Sequence, residues 1–225
     1  KHMHDKGWMF SPDYPDEVLN HPVLHQVYLT ADPRYTGRVT VPILFDCHTQ
    51  QIVNNESAEL IRMLNAVAPR TKSTDVNLYP ETLRQDIDTW NKLIYSDLNN
   101  GVYRCGFATT QTAYDDAVHR LFGCLDTLET HLSTRTYLVG EQLTEADIRL
   151  FPTLIRFDPV YHGHFKCNLK KLKEFGAIYD YMQRIYTLEG IAQTCDLNEI
   201  KQHYYGSHLT INPTGIIPKG PAIWP

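Results

Sequence analysis

A proline set inside an apolar, β-branched run is the feature that most limits what this chain can fold into. Val39-Thr40-Val41-Pro42-Ile43-Leu44-Phe45 reads as a strand, Ile52-Val53 as a second strand after a short turn, and Asn54-Asn55-Glu56-Ser57-Ala58-Glu59 then opens a helix. Proline cannot donate to a sheet ladder, so it belongs at a strand edge or bulge, where a cis bond would be a built feature. Val41, just before it, is then placed to offer its own N–H and C=O to an extended ligand, as though adding a strand. Glu56 and Ser57 stand at a helix start, where unpaired N–H groups and the helix dipole favour an anion. A backbone edge beside such a helix start suits a small peptide carrying carboxylates. The same residues also read as an ordinary buried strand followed by a capped helix.

The rest of the chain sets bounds on that reading. With 225 residues, 42% of them hydrophobic, it can bury one large core or two small ones. A net charge of −5 and the lack of a basic run argue against nucleic acid as a partner. No apolar run is long enough to span a bilayer and no signal-peptide pattern occurs, so a soluble, cytoplasmic protein is expected. Five cysteines (Cys47, Cys105, Cys124, Cys167 and Cys195) are scattered without a C-x-x-C pair, which favours reduced thiols over a disulfide framework.

The pattern changes near residue 70. Strand signals and one helix, from Ser57 to about Ala66, precede a polar, turn-rich segment, Pro69 to Asp75, that reads as a linker. Beyond it the apolar spacing is helical: Leu83, Ile87, Trp90, Ile94 and Leu98, with Pro80 near the first turn. Tyr114, Val118, Leu121, Leu125, Leu128 and Leu132 form a second stripe, and Leu172, Phe175, Tyr179, Met182 and Ile185 a third. Such stripes pack helix on helix. Leu143-Thr144-Glu145-Ala146-Asp147-Ile148 carries a capping box, Thr144 with Asp147, inside a hydrophobic staple, Leu143 with Ile148. That is a folding signal, and it outweighs a reading of Asp147 as a catalytic acid. Proline and glycine in Pro218-Lys219-Gly220-Pro221 argue against a helical tail.

Several segments together resemble the Xi class of the glutathione transferase superfamily, the glutathionyl-hydroquinone reductases. They are Gly7-Trp8, Gly37 to Pro42, Asn55 to Glu59, Asn99-Asn100-Gly101-Val102-Tyr103, Leu143 to Arg149, Arg156 to Tyr161, His203-Tyr204 and Ile211 to Ile216. The resemblance implies an α/β plus all-α architecture, the glutathione transferase fold. Residues 1–68 would form a thioredoxin-like glutathione-binding domain lacking its first strand and helix, and residues 76–225 an all-helical domain with a family-specific tail. The implied reaction reduces glutathionyl-hydroquinones to hydroquinones through a cysteine–glutathione mixed disulfide, resolved by a second glutathione. The family's nucleophile lies in a C-P-W motif, and none of the five cysteines here is followed by Pro-Trp, so that cysteine is expected upstream of Lys1. A non-catalytic scaffold of the same fold and a general thiol transferase are the alternative readings.

The family pattern also selects residues. It assigns glutathione, as co-substrate, to Trp8, Arg38, Val41, Glu56 and Ser57. Glu56 would meet the γ-glutamyl ammonium, Ser57 that residue's carboxylate and Val41 the cysteinyl backbone. Arg38 would neutralise another carboxylate and Trp8 wall the site; Ser57 reads equally as a plain N-cap. Tyr103, Tyr161 and Tyr204 would surround the hydroquinone as catalytic phenols, Tyr103 and Tyr204 as the donors. Tyr95, Asn99 and Tyr103 read as one helix flank turned towards a cleft. His21 and His25 stand four apart, yet Pro22 intervenes and no third ligand is evident, so no metal is assigned. His162-Gly163-His164 reads as a polar loop, and Cys105 as a buried thiol. A homodimer is the implied assembly, with no nucleic acid or membrane partner.

Overall fold

In the computed structural model, which describes residues 3–4, 7–71 and 76–221, the backbone separates into two units, residues 1–76 and 77–225. The first unit is mixed. Strand β1 (Met3–His4) pairs antiparallel with β2 (Gly7–Trp8), and β3 (Leu44–Asp46) with β4 (Gln51–Asn54). The turn between β3 and β4 is built by Asp46, whose Oδ1 accepts from the N–H groups of His48 at 2.8 Å and Thr49 at 3.2 Å. Two helices complete the unit, α1 (Leu24–Ala31) and α2 (Ser57–Thr71).

Three features depart from expectation here. The strand expected over residues 39–45 begins only at Leu44, after the proline. Val41–Pro42 is cis, and a residue with no N–H at position 42 leaves the preceding run without a regular ladder. Helix α1 follows Pro22, which fits a helix start or a turn, but its extent is not readable from spacing because eight residues carry too little periodicity; its buried Leu24, Val27 and Tyr28 nonetheless follow i, i+3, i+4 spacing. Helix α2 continues to Thr71 rather than stopping near Ala66, since Pro69 falls in the last turn, where a lost N–H removes one bond instead of splitting a helix interior. Residues 72–75 of the expected linker lie outside the described residues.

The second unit is helical: α3 (Arg84–Leu93), α4 (Gly101–Gly106), α5 (Gln111–Leu132), α6 (Glu145–Arg156), the short α7 (His162–His164), α8 (Gly176–Tyr186) and α9 (Leu197–Ser207). The three apolar stripes become its core. Ile87, Ile94, Leu98, Leu121, Leu125, Leu128 and Ile185 are fully buried. Two wide, π-type turns interrupt the helical path, Ile94–Asn99 ahead of α4 and Phe157–Tyr161 between α6 and α7.

The capping box forms at α6, and its acid does more than cap. Asp147 Oδ2 accepts from the Thr144 N–H and hydroxyl, both at 2.8 Å. Its Oδ1 accepts from the Leu138 N–H at 2.9 Å and the Tyr181 hydroxyl at 2.7 Å. Two bonds to each oxygen satisfy a carboxylate that is wholly buried. Asp147 therefore ties α6, α8 and the loop before α6 into one core.

Candidate functional site

Within the first unit, Tyr28 organises the residues around Val41. Its ring is buried in a small core with Trp8, Val39, Ile43 and Phe45. Its hydroxyl donates to the Thr40 carbonyl at 2.8 Å and accepts from the Thr40 N–H at 3.3 Å and from Asn55 Nδ2 at 3.2 Å. One phenol thus holds the residue before Val41 and the residue before Glu56. Tyr35 adds a bond from its hydroxyl to the Arg38 carbonyl at 2.6 Å. Neither tyrosine was singled out from the sequence, where nothing marks a hydroxyl that bridges positions 28, 40 and 55.

The start of α2 is built by Glu56 rather than by Ser57. The Glu56 carbonyl accepts from the Leu60 N–H at 2.9 Å, and its carboxylate Oε1 accepts from the Ala58 N–H at 3.3 Å. Asn54 Oδ1 in turn accepts from the Glu56 N–H at 2.7 Å. Ser57 is the first helical residue, so the plain N-cap reading passes to Glu56. Glu56, Ser57, Arg38 and Val41 are all solvent-exposed, Val41 by 54%, while Trp8 is half-buried against the small core.

In the helical unit the three selected phenols come together. Tyr204, on α9, is hydrogen-bonded to Tyr103, on α4, at 2.7 Å and to Tyr161, at the end of the second wide turn, at 2.9 Å. The exposures run in sequence: Tyr161 3%, Tyr204 6% and Tyr103 38%. Burial, reinforced by the neighbouring phenol of Tyr204, pushes the Tyr103 and Tyr161 hydroxyls above the ordinary tyrosine range. Both therefore remain protonated donors at neutral pH.

Each hydroxyl carries one proton, and two bonds join the three groups, so one proton remains for something else. Tyr161 is sealed in, which makes the order Tyr161 to Tyr204 to Tyr103 deliver that proton to the exposed end. Phe165 completes the wall, with ring centroids 5.2 Å from Tyr103, 5.5 Å from Tyr161 and 5.9 Å from Tyr204. Both wide turns feed this cluster, the first preceding Tyr103 and the second ending at Tyr161; single wide turns inside helices frequently mark functional sites.

Other sequence readings sort differently. The wide turn at 94–99 shifts the helical phase, so Tyr95 is 53% exposed while Asn99 turns to α6, donating to the Thr153 hydroxyl at 2.6 Å. His164 is not loop: it is helical, 5% exposed, and its Nε2 lies 3.1 Å from His208 Nδ1. Burial, with His208 adding to it, brings the His164 pKa down to about 4, so the ring is neutral at pH 7. His21 precedes α1 and bonds through Nε2 to the Thr30 hydroxyl at 2.9 Å, away from a shared face with His25. Among the described residues no cluster of three His, Cys, Asp or Glu side chains could hold a metal.

A separate cavity of about 480 Å³ lies in the helical unit, lined by Leu154, Ile155, Asp158, Met182, Tyr205 and Pro218 among others, and by none of the three phenols. Pro218, Gly220 and Pro221 of the tail close one side of it, and the Lys201 ammonium holds the tail by donating to the Lys219 carbonyl at 3.0 Å and the Pro221 carbonyl at 3.2 Å.

Comparison with known proteins adds the following. Residues 111–184 match the family "Glutathione S-transferase, C-terminal domain". The chain is 50% identical over 224 residues to glutathionyl-hydroquinone reductase PcpF of Sphingobium chlorophenolicum, spanning 98% of this chain and 72% of that protein. It superimposes on the glutathione-bound structure of YqjG, a glutathione transferase homologue from Escherichia coli K-12, with a TM-score of 0.96 at 47% identity, covering 99% of this chain and 74% of the other. The glutathione S-transferase Xi structure from Phanerochaete chrysosporium follows with a TM-score of 0.92 at 46% identity, covering 98% and 78%.

Proposed function

The chain belongs to the Xi-class glutathione transferases, the glutathionyl-hydroquinone reductases, and shares their fold; from that membership we propose that it reduces glutathionyl-hydroquinones to hydroquinones at the expense of glutathione. A cysteine thiolate attacks the glutathionyl sulfur, the carbon–sulfur bond breaks with its electron pair left on the ring, and the ring carbon takes a proton. The resulting cysteine–glutathione disulfide is resolved by a second glutathione, which leaves as glutathione disulfide. We assign the attacking thiolate to a cysteine in a C-P-W context, which none of the five cysteines here has.

The single observation that carries the ring half of this reading is the phenol triad with its unspent proton. Tyr103 presents that proton, Tyr204 relays it, and Tyr161 anchors the line from within the core. A departing hydroquinone develops charge on its oxygens and at the carbon losing sulfur, and fixed phenolic donors beside aromatic walls stabilise that charge. Glutathione is assigned to the α/β unit. Val41 pairs with the cysteinyl main chain, Ser57 and the α2 N-terminus hold the γ-glutamyl carboxylate, and Glu56 meets its ammonium. Arg38 takes a further carboxylate and Trp8 walls the site. Support for Val41 comes from its exposure and from Tyr28, which fixes the adjoining Thr40 backbone.

Assembly as a homodimer and a cytoplasmic location belong to the same reading. Among the described residues no helix is long and apolar enough to cross a membrane.

The test is turnover. Glutathionyl-hydroquinone and glutathione, given to the protein with its C-P-W cysteine present, should yield free hydroquinone and glutathione disulfide in equal amounts. Absence of both products overturns the proposal.

A further inference from the structure

Phe107, which closes α4, leaves 46% of its surface exposed beside the phenol triad. Its N–H donates to the Tyr103 carbonyl at 2.9 Å, so the two residues stand one helical turn apart on one face. Both rings rest on Phe165, which is wholly buried, with centroids 5.2 Å away for Tyr103 and 5.5 Å away for Phe107. The aromatic surface therefore runs on from the donor phenol to Phe107 without a break.

The exposed ring is also held in place. His208 meets it edge-on at 5.2 Å and stacks on Phe165 at 5.7 Å. His208 in turn is fixed through Nδ1, 3.1 Å from Nε2 of the buried His164. Gly106 faces the Phe165 ring so tightly that no side chain fits between them, which sets the end of α4 down on that ring. The Tyr114 hydroxyl fastens the turn after Phe165 by donating to the Lys166 carbonyl at 2.6 Å. Burial holds the His208 pKa below the ordinary range, so its ring is neutral at pH 7 and the surface around Phe107 is aromatic without a charge from that side. A lone exposed apolar residue is ordinary on a protein. One that continues a donor phenol, lies on a buried ring and is pinned by a second ring is a preformed face for a flat ligand.

We infer that Phe107 is a specificity-determining residue of the ring site, taking an aryl substituent of the hydroquinone while Tyr103 holds the hydroquinone oxygen. The inference rests on the assignment of Tyr103 as the ring's donor, and it names the class of substrate the site prefers. One helical turn rises about 5.4 Å, close to the breadth of an aromatic ring, so a ring anchored at Tyr103 brings an attached ring over Phe107. The unsubstituted hydroquinone reaches Tyr103 and leaves Phe107 uncovered.

The experiment compares two free products, phenylhydroquinone and hydroquinone, by titration calorimetry with the protein carrying its C-P-W cysteine. The unaltered protein should bind phenylhydroquinone at least about tenfold more tightly. Phe107→Ala should cut that preference to about twofold or less, and Phe107→Trp, which keeps a flat ring, should preserve it. Equal affinity of the two products for the unaltered protein would overturn the inference. So would a preference that survives Phe107→Ala intact, or one that Phe107→Trp abolishes. Because binding is read without turnover, a protein that shows this preference but releases no hydroquinone from its glutathionyl conjugate would strike the proposed reduction and leave the aryl subsite standing.

Discussion

Two buried polar networks in the helical unit use the same kinds of atoms to opposite ends. Around Asp147 every lone pair is matched: four donors, from Thr144, Leu138 and Tyr181, meet two carboxylate oxygens. Around Tyr204 the three hydroxyls carry one proton more than their mutual bonds consume. A closed network has nothing to offer a ligand and everything to lose if cut, so it supports the fold. An open one keeps a donor in reserve, and its open end lies at the exposed Tyr103. Under the proposed function, that difference in protons and lone pairs is what separates a structural network from one that serves a ligand.

The comparison breaks if cutting the closed network is harmless. Asp147→Ala strands the Tyr181 hydroxyl, the Thr144 hydroxyl and two N–H groups in the core, and should cost about 3–4 kcal/mol in urea unfolding. A loss under about 1 kcal/mol would show that water or repacking replaces the carboxylate. The open network should answer the other way. Tyr204→Phe should lower kcat about a hundredfold, roughly 2.7 kcal/mol, through the lost donor line, with glutathione affinity unchanged. If turnover and glutathione binding fall together, the relay role of Tyr204 is wrong.

A third residue sharpens the contrast, because it is closed in its bonds yet stands beside the residues proposed to hold glutathione. The Tyr28 hydroxyl has all its capacity spent on Thr40 and Asn55. Tyr28→Phe should weaken glutathione about tenfold, near 1.4 kcal/mol, by loosening the Thr40 backbone, and calorimetry would read it. Unchanged affinity would mean that the segment around Val41 holds its shape unaided.

A further effect concerns pH. The folded pKa of His164 is depressed to about 4, below the ordinary 6.5. Below pH 6.5 the unfolded chain binds a proton that the folded one refuses, so stability should fall on acidification from about 6.5 towards 4, by at most about 1.4 kcal/mol per pH unit. His164→Asn should flatten that slope. An unaltered slope would place the titrating group elsewhere.

How far the sequence foretold all this depends on the range of the contact. The stripes at 83–98, 114–132 and 172–185 became cores because helical periodicity is a local signal, and the Thr144–Asp147 box formed at its stated spacing. The start of β3 and the length of α2 were misjudged by a few residues, where proline acts in a position-dependent way. The extent of helix α1 and the role of Tyr28 escaped notice because eight residues are too few for periodicity and a bridge from position 28 to 55 leaves no sequence trace. The wide turn at 94–99 could not be read from spacing either. The three phenols were picked by family pattern, since 14 tyrosines offer no internal reason to prefer them.

The measurement that bears most directly on the spare proton compares two ligands by titration calorimetry. One is a glutathionyl-hydroquinone, and the other is the matching phenyl thioether with both ring hydroxyls removed. The phenol triad predicts that the hydroxylated ring binds at least about tenfold more tightly, and that Tyr103→Phe erases the difference. Equal affinity of the two ligands for the unaltered protein would contradict the account.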